Sequence, residues 1–246
     1  DQVEQKCNEA VAVAVVACAD DTEGQTCYIC LEGGSEEGIV RMCACRGGEG
    51  FAHVSCLARG AQVAVEHDAT TGWARWYSCR QCQQEYHGVV RCALGWACWK
   101  TYLGRPEADE IRCNAMNQLG LGLTAANHHE AALSVKQAEL SMLRRVGAPV
   151  QNILGSQSNL AMTYRAFGQH EQALDLQREV YSVCLRLFGE HQHTLLAANN
   201  YASTLVKLQR YQEAKSVLRK MIPVARRVLG ESEELTLKMG WIYART

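Results

Sequence analysis

Residues 42–56 read MCACRGGEGFAHVSC, and this glycine-rich stretch decides how the first third of the chain folds. It contains three cysteines and one histidine, and two of the cysteines, Cys43 and Cys45, are separated by a single residue. Thiols this close together are buried small side chains, disulfide halves, a redox pair or metal ligands. The positions of the other cysteines decide among these possibilities.

The cysteines are abundant, odd in number and concentrated at one end of the chain. Thirteen are present, and all but Cys113 and Cys184 precede residue 100. Secreted disulfide scaffolds usually have an even count and a secretory signal. Here the longest apolar run, AVAVAVVACA at 10–19, is about half of a bilayer span and lacks a basic flank. We therefore expect a soluble, cytoplasmic protein, with the nucleus left open, whose first segment forms a short helix.

The formal net charge of −1 hides an asymmetry along the chain. Residues 1–99 carry 7 basic and 13 acidic side chains, whereas residues 100–246 carry 18 basic and 13 acidic ones. Neither balance approaches that of a nucleic-acid-binding domain, so we expect no nucleic-acid partner.

Outward from the opening stretch, the cysteines and one histidine form four short pairs. They are Cys27 and Cys30, Cys43 and Cys45, His53 and Cys56, and Cys79 and Cys82. Eight soft ligands fill two tetrahedral zinc sites with none left over, and thiolates favour zinc over magnesium or calcium. The spacing of the third pair suits the first turn of a helix. A redox role is less favoured because no βαβ pattern surrounds either CxxC pair.

The order of the ligands is shared by two zinc modules, the PHD finger and the RING-CH (variant RING) finger. The gap between the fourth cysteine and the histidine separates them: it is shorter in PHD fingers, and here it has the seven residues of the RING-CH pattern. Over residues 26–87 the chain therefore resembles a RING-CH finger. Further agreeing residues are Ile29, Arg46, Gly47, Phe51 and Leu57.

The resemblance implies a cross-brace, in which each zinc ion is held by two pairs that are not adjacent in sequence. One ion would be bound by Cys27, Cys30, His53 and Cys56, and the other by Cys43, Cys45, Cys79 and Cys82. Four protein ligands close each site, so the resemblance implies two structural zinc ions and no catalytic residue.

The resemblance also implies a partner surface on the finger. A RING finger binds a ubiquitin-conjugating enzyme charged with ubiquitin, and the matching positions are Ile29 with Leu31 and the loop that contains Trp76. Packing between the zinc sites is the alternative role for Ile29. Two positions depart from the family pattern: Gly60 replaces a usual tryptophan, and Gln83 replaces the basic residue of many active RING domains. These departures concern the efficiency of ubiquitin transfer more than the fold.

From about residue 112 the apolar spacing takes the helical period, and the sequence repeats itself. The aligned segments are HHEAALSVKQAEL (128–140), QHEQALDLQREVY (169–181) and RYQEAKSVLRKMI (210–222), at intervals of 41 residues. Gly189 and Gly230 would end the second helix of two units. We predict helix pairs near 112–147, 151–189 and 192–230 and a final helix from residue 232.

These units resemble tetratricopeptide repeats of the longer kinesin-light-chain type, over residues 112–246. The matching motifs are NLAMTY, EQALDL, LRLFGEHQHTL and VARRVLGESEELTL. In that family, asparagines of the inner helices contact an extended peptide in a groove. The resemblance implies this role for Asn159 and Asn200, with Gln118 in the first pair. A hydrogen bond to the neighbouring helix is the alternative role of such an asparagine.

The expected fold class is a small zinc-stabilised α+β cross-brace finger followed by an all-α solenoid of helical hairpins. We expect an N-terminal helix or flanking segment at 1–24, the finger at 25–87, a packed connector at 88–111 and the solenoid at 112–246. The connector is too apolar for a free linker. Because the chain begins with Asp1 instead of methionine, we also expect a fragment or a processed chain.

The two resemblances together imply a RING-type ubiquitin-protein ligase. The finger would recruit a charged conjugating enzyme, the repeats would hold a protein or peptide substrate, and transfer would proceed by proximity. The alternatives are a non-catalytic adaptor and a PHD-like reader of histone-like tails, which the ligand spacing disfavours. A ligase that carries ubiquitin on its own cysteine would need an activated thiol. The candidates for such a thiol are Cys92, Cys98, Cys113 and Cys184, and none has a recognisable base beside it in sequence.

Overall fold

The computed structural model describes residues 2–34, 36–41, 43–45 and 47–246. Arg46, which belongs to the RING-CH pattern, lies outside these ranges. The chain divides into two compact units, residues 1–146 and residues 147–246. The first unit contains the zinc-ligand array, and the second consists of helical hairpins.

The first unit contains helices in addition to the cysteine array. They are α1 (Gln2–Ala17), α2 (Ala19–Thr22), α3 (Val54–His67), α4 (Gly88–Tyr102), α5 (Glu110–Ala125) and α6 (His129–Arg145), with short 3-10 helices at Gly47–Gly50 and Gly72–Trp76. Isolated antiparallel bridges join Thr26 to Gly33, Val40 to Ala52, and Ser78 to Glu85. Over the residues that the structure describes, these bridges are the whole β-part of the expected α+β finger.

The second unit contains the helix pairs predicted near 151–189 and 192–230 and the final helix predicted from residue 232, whereas the pair predicted near 112–147 lies in the first unit as α5 and α6. Its helices are α7 (Val150–Ala166), α8 (His170–Phe188), α9 (Gln192–Lys207), α10 (Tyr211–Val228) and α11 (Glu234–Ala244). The repeated alanines Ala173 and Ala214 are fully buried where consecutive helices pack. Gly189 and Gly230 follow α8 and α10 with φ of 58° and 114°, which glycine adopts without strain. A membrane crossing would need a longer apolar helix than any found in the described ranges.

Helix α4 lies at the centre of the first unit. Val90, Leu94 and Cys98 are buried in one core with Trp76 of the finger and Ala14 of α1. Because α4 packs against α1, α3 and α5, protein covers most of its surface. This coverage explains why the helix is apolar on nearly all sides instead of carrying a single stripe. Most of the segment expected as a connector is therefore part of the core.

Two glycines allow α4 and α5 to approach closely. A Cβ atom at Gly95 would lie 3.0 Å from the backbone oxygen of Gln118, and one at Gly122 would lie 2.8 Å from that of Arg91. Backbone atoms cannot move aside as a flexible side chain can, so a methyl group at Gly122 would force the helices apart. At Gly60, an exposed position within α3, an added Cβ would meet no atom within 4 Å.

Gly122→Ala is expected to lower the free energy of unfolding of the first unit by about 1–3 kcal/mol, the usual cost of overpacking. Gly60→Ala should raise it by about 0.5–1 kcal/mol, because alanine is the better helix former at an open position. Denaturant unfolding of the zinc-loaded protein, followed by tryptophan fluorescence, measures both effects, since four of the five tryptophans lie in the first unit. Equal effects of the two substitutions would contradict the close approach of α4 and α5.

Candidate metal centre

The structure gathers the eight predicted ligands into two clusters. The donor atoms of Cys27, Cys30, His53 and Cys56 lie within 4.8 Å of one another, and so do those of Cys43, Cys45, Cys79 and Cys82. The first and third pairs thus share one site, and the second and fourth pairs share the other. This is the interleaving of a cross-brace, and it ties together segments that are distant in sequence.

The distances between donor atoms suit a tetrahedral zinc ion. With Zn–S near 2.3 Å and Zn–N near 2.0 Å, such an ion needs donor atoms about 3.5–3.8 Å apart. The Nδ1 atom of His53 lies 3.3 Å from the sulfur of Cys30 and 3.8 Å from that of Cys56. In the other cluster, the sulfurs of Cys45 and Cys79 are 3.6 Å apart. The donor sets therefore fit two zinc ions in both chemistry and spacing.

The ring of His53 is oriented by a backbone carbonyl. Its Nε2 atom lies 3.1 Å from the oxygen of Gly33, to which an Nε2–H group donates. In the tautomer with its proton on Nε2, the ring makes this hydrogen bond while Nδ1, the atom that faces the sulfurs, offers a lone pair to a metal. Metal-binding histidines are commonly fixed in this way by a partner of the second ring nitrogen.

Helix α3 positions the third ligand pair. His53 is the residue that caps the helix, and Cys56 lies in its first turn, as the spacing predicts. The carboxylate of Glu37 accepts hydrogen bonds from the backbone N–H of Ser55, at 2.8 Å, and from its hydroxyl. A negative charge at the start of a helix satisfies free N–H groups there and is favoured by the helix dipole. Glu37 thus fixes the turn that presents the ligands.

The two CxxC pairs occupy equivalent backbone turns. The N–H of Leu31 donates to the oxygen of Cys27 at 2.8 Å, and the N–H of Gln83 donates to that of Cys79 at 3.0 Å. Leu31 and Gln83 both have a left-handed backbone, with φ of 67° and 61°. Each turn brings two sulfurs to the same side of the chain, which is the geometry a metal requires.

The thiols of each cluster lie so close together that ionising all of them would place several negative charges side by side, and a bound cation would neutralise these charges. Burial raises the pKa of Cys56 to about 12, and the neighbouring sulfurs add to the rise. Burial and a hydrogen bond with a neighbouring thiol also raise the pKa of Cys45. Burial also acts to raise the pKa of Cys27, but hydrogen bonds from backbone N–H groups outweigh it and lower this pKa to about 7. One of these donors is the backbone nitrogen of Ile29, which lies 3.4 Å from the sulfur of Cys27. All the thiols of a cluster can ionise together only around a cation.

The ligand sets define what zinc can do in this protein. Each site offers four protein ligands, which complete the tetrahedral shell and leave no position for a substrate or a water molecule. When bound, the ions supply structure by cross-linking the finger.

Two of the three residues expected at the conjugating-enzyme surface are exposed, and one is not. Ile29 is 44% exposed and Leu31 is 77% exposed, whereas Trp76 is fully buried. The ring of Trp76 packs edge-on against Tyr102 of α4, with 5.9 Å between ring centroids. The expectation for Trp76 is therefore wrong, because α4 covers the side chain and makes it part of the core.

The residues expected to line the peptide groove also differ in their surroundings. Asn159 and Asn200 lie on α7 and α9 and are partly exposed. The side-chain amide of Asn200 donates to the hydroxyl of Ser158 at 3.3 Å, which is a hydrogen bond to the neighbouring helix. Gln118 is buried, and its carboxamide oxygen accepts a 2.5 Å hydrogen bond from Arg91. The expectation for Gln118 is wrong, because this face of α5 packs on α4.

The four cysteines outside the clusters that were considered as carriers of ubiquitin are not activated. Cys92, Cys98 and Cys184 are buried, and Cys113 is partly exposed. Burial raises the pKa of Cys92 to about 11 and also raises the pKa values of the other three. A thiol with a raised pKa is a poor nucleophile at neutral pH, so these residues give no support to a covalent ubiquitin intermediate.

Arg91 is a structural residue that the sequence interpretation missed. Its guanidinium is buried, donates to the backbone oxygen of Trp76 at 3.2 Å and to Gln118, and lies 5.4 Å from the ring centre of Tyr77. Burial lowers its pKa to about 10. It links the segment just before the last ligand pair to α5. The available signal was an arginine in the first half of a mostly apolar helix whose other charged residue, Lys100, lies near its end.

The zinc-loaded chain is expected to contain two zinc ions, and Cys79→Ser should hold fewer because it removes one of four ligands. Cys113→Ser, a substitution outside both clusters, should retain two. Elemental analysis after dialysis measures the stoichiometry. Two ions retained in Cys79→Ser would contradict the assignment of the second site.

Zinc affinity should fall as the pH is lowered, because protons compete for the thiols. With a metal-free pKa of about 12, Cys56 releases a proton on binding throughout the neutral range. Cys27, with a pKa of about 7, releases one only below that pH, so the loss of affinity should become steeper there. Competition with a chromophoric chelator between about pH 8 and pH 5.5 measures this dependence, and a flat profile would contradict it.

Comparison with known proteins identifies two segments of the chain. Residues 27–84 match the family model of the RING-variant domain, and residues 152–236 match that of the tetratricopeptide repeat. No curated protein sequence matches the chain.

Solved structures share the fold of the helices at low sequence identity. The TPR-like repeats of a Podosopora anserina kinesin light chain are 18% identical, with a TM-score of 0.53 over 78% of this chain and 86% of that one. BtubC (BKLC) from P. vanneervenii is 13% identical, with a TM-score of 0.52 over 78% of this chain and 82% of that one. These matches and the geometry of the clusters identify residues 27–84 as a RING-variant zinc finger and the helical repeats as tetratricopeptide-like.

Proposed function

We propose that this chain is a RING-type ubiquitin-protein ligase, whose finger recruits a conjugating enzyme charged with ubiquitin and whose repeats hold a protein substrate. RING-variant domains are typical of ubiquitin ligases, and tetratricopeptide repeats are typical of protein interaction. The observation that carries the proposal is an exposed apolar pair, Ile29 and Leu31, on a zinc-binding turn of the RING-variant domain.

The pair has the properties of a surface for a protein partner. Ile29 and Leu31 flank Cys30 and are 44% and 77% exposed. The hydrogen bond from Leu31 to Cys27 fixes the turn, and a zinc ion bound by Cys27 and Cys30 would fix it further. A rigid apolar surface loses little conformational entropy when it is covered by a partner, so most of the gain from desolvation is available for binding.

The proposed catalysis requires no reacting side chain on this protein. The two ligand sets are complete, and the four free thiols considered above have raised pKa values. The finger would act by holding the charged conjugating enzyme near a bound substrate. Correct placement of two reactants contributes several kcal/mol to a rate, so a scaffold is sufficient for this reaction.

The proposed substrate contact lies in the second unit. Asn159 and Asn200 are 41 residues apart and occupy the same position on the first helix of successive pairs, α7 and α9. A carboxamide has two donor hydrogens and one acceptor oxygen, so the hydrogen bond from Asn200 to Ser158 uses only part of its capacity. Equivalent amides on successive repeats suit the regular backbone of an extended peptide.

A non-catalytic protein-interaction adaptor is the second candidate function. Gln83 is exposed at the position where many active RING domains have a basic residue, and Gly60 leaves an open surface on α3 in place of the usual tryptophan. A PHD-like reader has less support, because the finger matches the RING-variant model. For both candidates we infer a reducing compartment such as the cytoplasm, because seven of the thirteen cysteines lie in the two ligand clusters and must be reduced to bind zinc.

A ubiquitin-discharge assay tests the proposal. The zinc-loaded protein is expected to accelerate release of ubiquitin from at least one enzyme in a panel of charged conjugating enzymes. Ile29→Ala should reduce the acceleration about tenfold, which corresponds to about 1.4 kcal/mol of lost transition-state stabilisation. The matched control is Val63→Ala, which shortens an apolar side chain of similar exposure, 49%, on α3 of the same unit, and should leave the rate unchanged.

Two outcomes separate the candidates. Acceleration that Ile29→Ala loses and Val63→Ala keeps would establish a ligase that uses the predicted surface. No acceleration with any enzyme, from a protein that contains two zinc ions, would overturn the ligase proposal and favour the adaptor.

A further inference from the structure

A cavity of about 620 Å³ lies in the first unit, between helices α1, α4, α5 and α6. No residue of the finger lines it, so it is separate from both zinc sites and from the exposed pair Ile29 and Leu31. Its volume falls within the range of about 300–1,000 Å³ that is usual for small-molecule sites. The proposed ligase function makes no use of this space.

The lining residues show that the cavity is long. On α4 they are Val89, Cys92, Trp96 and Trp99, which recur at intervals of three and four residues and therefore share one face of the helix. Ten residues separate the first from the last, a rise of about 15 Å along the helix axis. Lining positions on α1, from Val3 to Val13, have the same spacing, so an elongated molecule is the shape that fits.

The interior of the cavity is apolar and aromatic. Leu119, Leu123 and Cys92 are buried, and the rings of Trp96 and Trp99 are partly exposed. Burial raises the pKa of Cys92 to about 11, so its thiol carries no charge at neutral pH. Aromatic faces favour offset contact with flat or ring-containing apolar groups.

The charged groups at the rim neutralise each other. Lys6 and Glu9 line the cavity, form a 2.8 Å ion pair and are each about half exposed, at 49% and 48% of their side chains. The hydrogen bond from Lys6 lowers the pKa of Glu9, which stays ionised within the pair. The other polar lining residues, Gln2 and His128, are also exposed. An ionic headgroup would find no unpaired buried charge among these lining residues.

We propose that this cavity is a binding site for an elongated, uncharged and mostly apolar small molecule. The match is between a neutral apolar wall and a neutral apolar ligand, whose burial supplies the binding free energy. Such a ligand would rest on the rings of Trp96 and Trp99 and lie along α4. This site is independent of the ubiquitin-transfer proposal.

Titration of the zinc-loaded full chain with the uncharged fluorophore N-phenyl-1-naphthylamine tests the proposal. Excitation of the tryptophans should produce saturable probe emission with one site per chain, because Trp96 and Trp99 line the cavity. Decan-1-ol should displace the probe at a concentration at least tenfold lower than decanoate, which has the same chain length but carries a charge.

Two substitutions on α6 provide the matched comparison. Ala131 and Ala138 are both exposed alanines of this helix, but only Ala131 lines the cavity. Ala131→Phe should fill part of the space and weaken probe binding at least tenfold, whereas Ala138→Phe should leave it unchanged. Because both sites are exposed, neither substitution is expected to disturb the core.

Three results would overturn the proposal. The first is equal loss of probe binding in both α6 variants, and the second is displacement by decanoate as effective as that by decan-1-ol. The third is the absence of saturable binding by the folded protein, and this result would favour an amphipathic partner helix as the occupant of the cavity. None of them bears on ubiquitin discharge, so failure here is distinct from failure of the ligase proposal.

Discussion

The fold of the finger depends on charge balance among crowded sulfurs. Seven thiols and one imidazole approach one another in two clusters, and burial together with neighbouring sulfurs raises the pKa of members such as Cys45 and Cys56. Two zinc ions remove this cost and contribute on the order of 10 kcal/mol or more of apparent binding free energy in small metal-dependent domains. Over its described residues the β-structure of the finger is limited to isolated bridges. Cross-linking by metal therefore takes the place of a sheet.

The finger is further supported by α4, and this support determines which of its residues remain on the surface. Trp76 packs against Tyr102, and the buried guanidinium of Arg91 satisfies the backbone oxygen of Trp76 and the side chain of Gln118. A buried guanidinium without such acceptors would cost several kcal/mol. The contacts therefore bind the finger to α5 and, in doing so, remove Trp76 and Gln118 from any partner surface.

The sequence predicted the features that depend on spacing along the chain. Ligand pairs and their order identified the two clusters, and the interval of 41 residues located the hairpins of the second unit. It did not predict which side chains other elements cover. Trp76 and Gln118 were expected to face partners because the family resemblances assign such roles to their positions, but the packing of α4 buries both. Arg91 and Glu37 were missed because each acts on a residue far away in sequence.

The two equivalent zinc-binding turns present different surfaces, and this difference bears on the proposed partner. Leu31 and Gln83 occupy the same left-handed position, which costs a residue other than glycine about 1–2 kcal/mol. Gln83 is polar, whereas Leu31 is apolar and 77% exposed. Leucine at this position does not avoid the cost of the left-handed backbone, as glycine would, and its exposed side chain does not fill the core. The side chain therefore contributes little to folding. An exposed leucine on a costly backbone position is explained if a partner buries Leu31 together with Ile29. This argument favours the first turn as the site of the proposed conjugating-enzyme contact.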